Sequence, residues 1–268
     1  MAGFPVERVS VPVETRAPTG ATNAYLVGES PALLVDPAGR TAELDSLVES
    51  HGVGAIAVTH THPDHVGAVA DYAAQADAEL LARRPGRFAN TTGVEPDRRI
   101  SEGSEVHTSA GPVTVLDTPG HAVDHVAFAF EDTVLCGDLA VADGSVVVGA
   151  PEGDLRAYLT SLRRLRARDP DRLLPGHGPA MTADGDAGPT PQESLKRLLA
   201  HRLGRERAVL AAIQDGATDI DAVLDTAYEK DLSGVRDLAR ATVVAHVEKL
   251  AVEGKVDWEP EHGRVGRV

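Results

Sequence analysis

Short apolar runs, each closed by Gly, Pro, Asp or Thr, dominate the first two thirds of the chain. Residues 23–28, 32–35, 55–59, 113–117, 125–130 and 133–136 predict strands. Between them, apolar positions at helical spacing predict helices over 43–49, 65–76 and 154–168. Strands interleaved with helices predict an α/β or layered α+β domain. The Gly-, Pro- and Asp-rich stretch 183–191 reads as a loop or linker. Beyond it the pattern turns helical, over 192–214, 219–227 and 238–253, and 254–258 reads as a short strand or hairpin. Helix, helix, then a β wing is a winged-helix order. The expected division is a large domain over 1–188 and a small, mostly helical one over 189–268, with no internal repeat.

One predicted strand ends in the densest polar signal of the chain, Thr59-His60-Thr61-His62-Pro63-Asp64-His65. Imidazoles and a carboxylate crowded together make poor core, and they suit borderline divalent metals, zinc above all. In extended chain alternate side chains share a side, so His60 and His62 can face one ion. Pro63 biases His62 toward the extended region. A helix starting at Asp64 and His65 turns them toward a second ion. Other predicted strands also end in ligand-type residues: Asp36 before Pro37, His121 after Asp117-Thr-Pro-Gly, Asp138 after Cys136-Gly137, and His177 between Gly176 and Gly178. Strand ends converging on one sheet edge are where sites form.

Length and charge narrow the picture. A chain of 268 residues with 42% hydrophobic positions can bury a sizeable core. The single cysteine, Cys136, forms no intramolecular disulfide and suits a cytoplasmic protein. The first residues lack a signal-peptide apolar region, and no run is long enough to span a bilayer. The formal charge is -15, and the lysines are only Lys196, Lys230, Lys249 and Lys255. Such a chain suits a salt-adapted, halophilic setting, since at about 1 M salt the Debye length falls to roughly 3 Å. It does not advertise a DNA or membrane partner.

The order His-x-His-x-Asp-His (60–65), Gly-His (120–121), Gly-Asp (137–138), Gly-His-Gly (176–178) resembles the ligand series of the metallo-β-lactamase superfamily. The stretches 22–28 and 33–39 resemble that family's opening strands. Residues 153–162, Gly120-His121-Ala-Val-Asp124-His125 and the segment 239–256 are similar to the β-lactamase-like-protein-two group, whose members include a mitochondrial endoribonuclease. The resemblance implies an α+β fold, a four-layer αββα sandwich, with a small winged-helix-like C-terminal domain. The gap between Asp138 and His177 leaves no room for a β-CASP insertion. Neither a basic exosite arm of the tRNA-processing type nor the basic residues of a hydroxyacylglutathione-hydrolase-like site are found.

By that resemblance one metal takes His60, His62 and His121, the other takes Asp64, His65 and His177, and Asp138 bridges both. Two metals sharing a water lower its pKa and make it a nucleophile. Asp64 also orients that water and shuttles its proton, so Asp64 and Asp138 are the expected catalytic carboxylates. Asp36 stands behind the histidine loop and His125 packs behind the site. His51, His107, His246 and His262 read as surface or packing residues, and Cys136 as a small buried one. Arg197, His201 and Arg205, with Arg202 beside them, form a basic helix face: either a solvated surface or a wall for an anionic substrate. The implied activity is a dizinc hydrolase cutting single-stranded RNA. The alternatives are a small-molecule thioester or ester hydrolase, or a metal-stabilised binding scaffold without catalysis.

Overall fold

The computed structural model describes residues 5–185, 188–229 and 231–268. Part of the predicted linker, Asp186 and Ala187, lies outside them, as does Lys230. The first half comprises β1 (Val6–Pro12), β2 (Ala21–Val27), β3 (Ala32–Val35), α1 (Ala42–Ser50), β4 (Val53–Ala57), α2 (Pro63–Val66), α3 (Val69–Ala76), β5 (Glu79–Ala82), α4 (Pro85–Thr92) and β6 (Arg98–Arg99). Strands β1 to β6 form one sheet in sequence order, with β1, β2 and β3 antiparallel and β3 to β6 parallel.

The second half of the sandwich comprises β7 (Glu105–Thr108), β8 (Gly111–Asp117), β9 (Val126–Phe130), β10 (Thr133–Gly137), α5 (Leu155–Arg168), β11 (Arg172–Pro175) and β12 (Met181–Thr182). Its six-stranded sheet runs in the order β12-β11-β10-β9-β8-β7. The chain ends in α6 (Pro191–Gln214), α7 (Ile220–Ala227), α8 (Arg236–Val252) and the antiparallel hairpin β13 (Val256–Glu259) and β14 (Arg264–Arg267).

Strand periodicity sorts the core into layers. Val126, Phe128 and Phe130 of β9 point into a cluster shared with Leu33 and Val35 of β3, while Ala127 and Ala129 point to the other side. The shared cluster therefore lies between the two sheets. On the outer face of the first sheet, Leu34 and Ile56 pack with Leu44 of α1, Tyr72 of α3 and Phe88 of α4. On the outer face of the second, Val134 and Leu173 pack with Leu159 and Leu162 of α5 and Leu195 and Leu198 of α6. Helices, sheet, sheet and helices make the expected αββα sandwich.

The predicted helix over 65–76 is in fact two. Ala68 leaves helical geometry (φ -116°, ψ 13°), and its N–H donates to the Pro37 carbonyl at 2.9 Å. That contact docks the His-rich turn on the loop after β3 and leaves Asp64 and His65 on the four-residue α2. Sequence reasoning also passed over β1, β5, α4, β7 and β12. Edge positions and mixed polarity, such as the alternating exposure of β1 and β7, hide them from a search for apolar runs.

The C-terminal elements follow the expected order of helices and hairpin. They have their own core, in which Val209 and Ile213 of α6 meet Val223 and Leu224 of α7, Val243 and Val247 of α8, and Val256. Helix α8 is buried on two sides, since Ala245 packs into the cluster of α5 and α6. The α6 N-terminus carries a capping box between Thr190 and Glu193.

Candidate metal centre

The expected ligands all lie just past the carboxyl ends of strands: His60, His62, Asp64 and His65 after β4, His121 after β8, Asp138 after β10, and His177 after β11. The parallel run of β3 to β5 and the β10–β11 pair point these ends to the same edge of the sandwich. His60 Nε2 and His121 Nε2 each lie 2.9 Å from His62 Nδ1. Asp64, His65 and His177 form a second group, with His177 Nε2 3.6 Å from Asp64 Oδ2. Asp138 stands between the groups. Its Oδ2 is 3.6 Å from His121 Nε2 and 3.4 Å from His177 Nε2, and its Oδ1 is 3.7 Å from His65 Nε2. The fold thus brings together all seven residues that the resemblance singled out.

The far side of each ring decides which nitrogen faces inward. His121 Nδ1 donates to the Val147 carbonyl at 2.7 Å, and His177 Nδ1 to the Ala21 carbonyl at 2.8 Å. A carbonyl only accepts, so both rings present a bare Nε2 inward. His65 Nδ1 donates to Asp36 Oδ2 at 3.0 Å, and His62 Nε2 to Glu152 Oε2 at 3.0 Å. Thr59 Oγ1 donates to Asp36 Oδ2 at 2.7 Å and so accepts from His60 Nδ1 at 3.1 Å. In its neutral form every imidazole of the cluster therefore aims a lone pair at its centre, His62 through Nδ1 and the others through Nε2.

Lone pairs and carboxylates alone do not make a stable cluster. His62 Nδ1 faces two acceptor nitrogens, and the buried His65 Nε2 and Asp138 Oδ1 have no hydrogen-bond partner. Such a set lacks only positive charge. Nitrogen and carboxylate donors of this kind fit a borderline divalent metal, and the oxygens behind the rings fix imidazole orientation as metal sites require. Charge preferences agree. Burial and the neighbouring imidazoles hold His60 well below the usual histidine range, and burial holds His121 down to about 4. Burial also opposes charge on His65, yet Asp36 and Asp138 outweigh it and raise the ring to about 9. Burial disfavours charge on Asp138 too, but the adjoining His177 and the other surrounding imidazoles hold its carboxyl below the usual range.

Asp36 and His125 lie behind the cluster. Asp36 (φ +52°) turns its carboxylate back onto the Thr59 N–H at 2.6 Å. His125 accepts the Asp138 N–H on Nε2 at 3.1 Å and meets Thr118 Oγ1 with Nδ1 at 2.8 Å. The structure corrects the candidate wall. Among the described residues, Arg197, His201, Arg202 and Arg205 do not line the cavity over the cluster. Arg202 is buried, donates to the Val146 carbonyl and lies over the Tyr158 ring. Arg197 donates to the Val141, Ala142 and Gly144 carbonyls, and Arg205 to the Ala227 carbonyl. These cations are engaged by backbone carbonyls of neighbouring segments instead of facing the cavity.

Other site residues escaped sequence reasoning. Thr15 Oγ1 donates to Asp64 Oδ2 at 2.5 Å. Arg87 joins Glu152 at 2.6 Å and Thr61 Oγ1 at 2.7 Å, and Thr61 in turn donates to Asp124 at 2.7 Å. Nothing local marks Arg87. Glu152 sits in a Gly-Pro-rich connection, and that composition was the only signal pointing to it.

The sequence model of the metallo-beta-lactamase superfamily matches residues 17–177, from before the second strand to the last histidine of the cluster. The chain belongs to that superfamily. A beta-lactamase-like protein 2 homolog of Drosophila melanogaster is 28% identical over 256 residues, covering 88% of this chain and 84% of that protein. An atrochrysone carboxyl ACP thioesterase of Aspergillus chevalieri is 30% identical over 263 residues, covering 90% and 79%. The crystal structure of a metallo-beta-lactamase family protein from Thermus thermophilus superposes with a TM-score of 0.75 at 23% identity, covering 98% of each chain. The shared fold thus extends over the C-terminal helices. As a superfamily member with this His/Asp cluster, the chain is a hydrolase of metal-binding type.

Proposed function

We propose that this protein is a dizinc hydrolase of small, uncharged acyl esters or thioesters. The observation that carries the reading is the cavity over the ligands. It has a volume of about 1020 Å³, and Val13, Pro18, Val141, Val146, Val147 and Leu238 form much of its wall. Arg16 is its one lysine or arginine among the described residues. That guanidinium is already engaged by the Asp237 carboxylate (3.0 and 3.2 Å) and the Gly234 carbonyl (3.0 Å). An apolar acyl group fits such a wall. A phosphodiester backbone needs free cations and stacking faces, which the wall does not offer.

Ions held by His60, His62 and His121 and by Asp64, His65 and His177 would supply Lewis acidity to a reacting carbonyl and lower the pKa of water. The chain's own residues do the rest. Asp138 lies against both donor groups, and Asp64 sits on the cavity wall with Thr15 holding one oxygen, placed to accept a proton. The one thiol, Cys136, is fully buried, and burial pushes it up to about 12, so it is not the nucleophile. A purely structural zinc site is closed, whereas His62, Asp64, His121, Asp138 and His177 all face the cavity. The buried position of α8 argues against groove binding by the C-terminal region. The acidic, lysine-poor composition suits work at high salt.

The test is a panel of acyl thioesters with thiol detection, run on zinc-loaded protein beside labelled single-stranded RNA at low and high salt. Thioester turnover that disappears in Asp138→Ala is expected. RNA cleavage that disappears in the same variant, with all thioesters untouched, replaces this reading with the endonuclease one.

A further inference from the structure

The oxygens behind the ligands divide by origin. Those behind the second group come from the first sheet and its loops: Asp36 for His65, the Ala21 carbonyl for His177, and Thr15 for Asp64. Behind the first group, His60 leans on Thr59, but His121 and His62 lean on one segment between β10 and α5, through the Val147 carbonyl and Glu152. That segment is held from the C-terminal side along most of its length, while Glu152 at its end is also bound by Arg87 of α4. Arg202 of α6 donates to the Val146 carbonyl, next to the carbonyl that orients His121. Arg197 of α6 binds the Val141, Ala142 and Gly144 carbonyls. The Ala150 N–H donates to the Ala241 carbonyl of α8 at 3.1 Å. A Cβ on Gly149 would stand 2.8 Å from that of Ala241, so strap and helix are in direct contact.

We propose that residues 141–152 form a strap through which the C-terminal helices position His62 and His121, and so set how tightly the three-histidine site holds its metal. The C-terminal unit is then a brace for one of the two sites rather than a separate binding module. The inference rests on the two-metal reading above. The mechanism is orientation. With the strap seated, His121 is held with its proton on Nδ1 and His62 with its proton on Nε2, and each bare nitrogen points inward. With the strap loose, His121 is free to turn or to exchange tautomers and His62 keeps only a Glu152 tethered by Arg87, while Asp64, His65 and His177 keep their own supports.

The experiment is a zinc titration of the full chain against a competing chromophoric chelator, with metal content measured after dialysis. Arg202→Met and the less buried Arg197→Met test the clamp, and Glu152→Ala tests the strap. Folding is checked by circular dichroism. Each folded variant is expected to weaken one zinc equivalent by 10-fold or more, as loss of a group that orients a ligand does, and to leave the other within about 2-fold. His121→Ala removes the three-histidine site directly, so Arg202→Met (or Arg197→Met) added to it is expected to cause no further loss. Two equivalents held at wild-type affinity in the clamp variants, equal weakening of both, or further loss in the double variant overturns the proposal. A wild type that takes up no zinc overturns the metal reading itself, and is distinguishable because it fails before any variant is compared.

Discussion

Asp36 grips His65 from behind. Its Oδ2 accepts the Nδ1 proton at 3.0 Å while the same carboxylate holds the Thr59 N–H and hydroxyl. Both residues are buried, so each depends on the other for satisfaction. Asp36→Ala is expected to leave the His65 Nδ1–H and the Thr59 N–H unpaired, at about 1–3 kcal/mol each. Zinc affinity is expected to fall about 10- to 100-fold. Chemical denaturation of the metal-free protein separates the first effect from the second, which a chelator competition measures.

Metal removal should cost stability, because the cluster is built to face positive charge. Zinc present at a hundred times the dissociation constant of one site is expected to add about 2.7 kcal/mol, or about 5–10 °C in melting temperature for a chain of this size. Melting curves with excess zinc and with a chelator measure the difference. Coincident curves would contradict the metal assignment.

His246 of α8 is fully buried, and neither ring nitrogen has a hydrogen-bond partner. Burial, together with the Arg202, Arg205 and Lys249 cations and His201, pushes it down to about 3. The unfolded chain takes up this proton near pH 6.5, so between there and pH 3 the unfolded state binds more protons. Stability from this group is complete above pH 6.5 and is lost as pH falls toward 3, with a slope of up to about 1.4 kcal/mol per pH unit. His246→Leu is expected to flatten that slope by this amount in denaturation curves taken from pH 7 to pH 4.

Gly120 precedes His121 at φ +141°, and a Cβ there would lie 2.3 Å from the Tyr158 backbone nitrogen. Gly120→Ala therefore meets both a disfavoured conformation and the first turn of α5. The expected cost is about 3 kcal/mol, with His121 displaced. Urea denaturation checks the first part. The zinc content of the folded fraction checks the second.

The chain's own pattern determined the layered fold and the chemistry of its centre. Fully buried strands such as β3, β9 and β10 are mostly apolar runs, and β3 and β10 lead directly into carboxylates of the centre, Asp36 and Asp138. Ligand type and order are written locally, which is why His60, His62, Asp64, His65, His121, Asp138 and His177 were all legible. Only the tertiary structure decided what stands behind and above them. Glu152 is 90 residues from His62, Arg87 is 65 from Glu152, and Arg202 is 56 from Val146. No local pattern encodes partners so far apart. The basic face of α6 shows the reason most clearly. Spacing alone could not tell solvent from a loop as its neighbour, and packing turned a candidate substrate wall into a clamp on carbonyls.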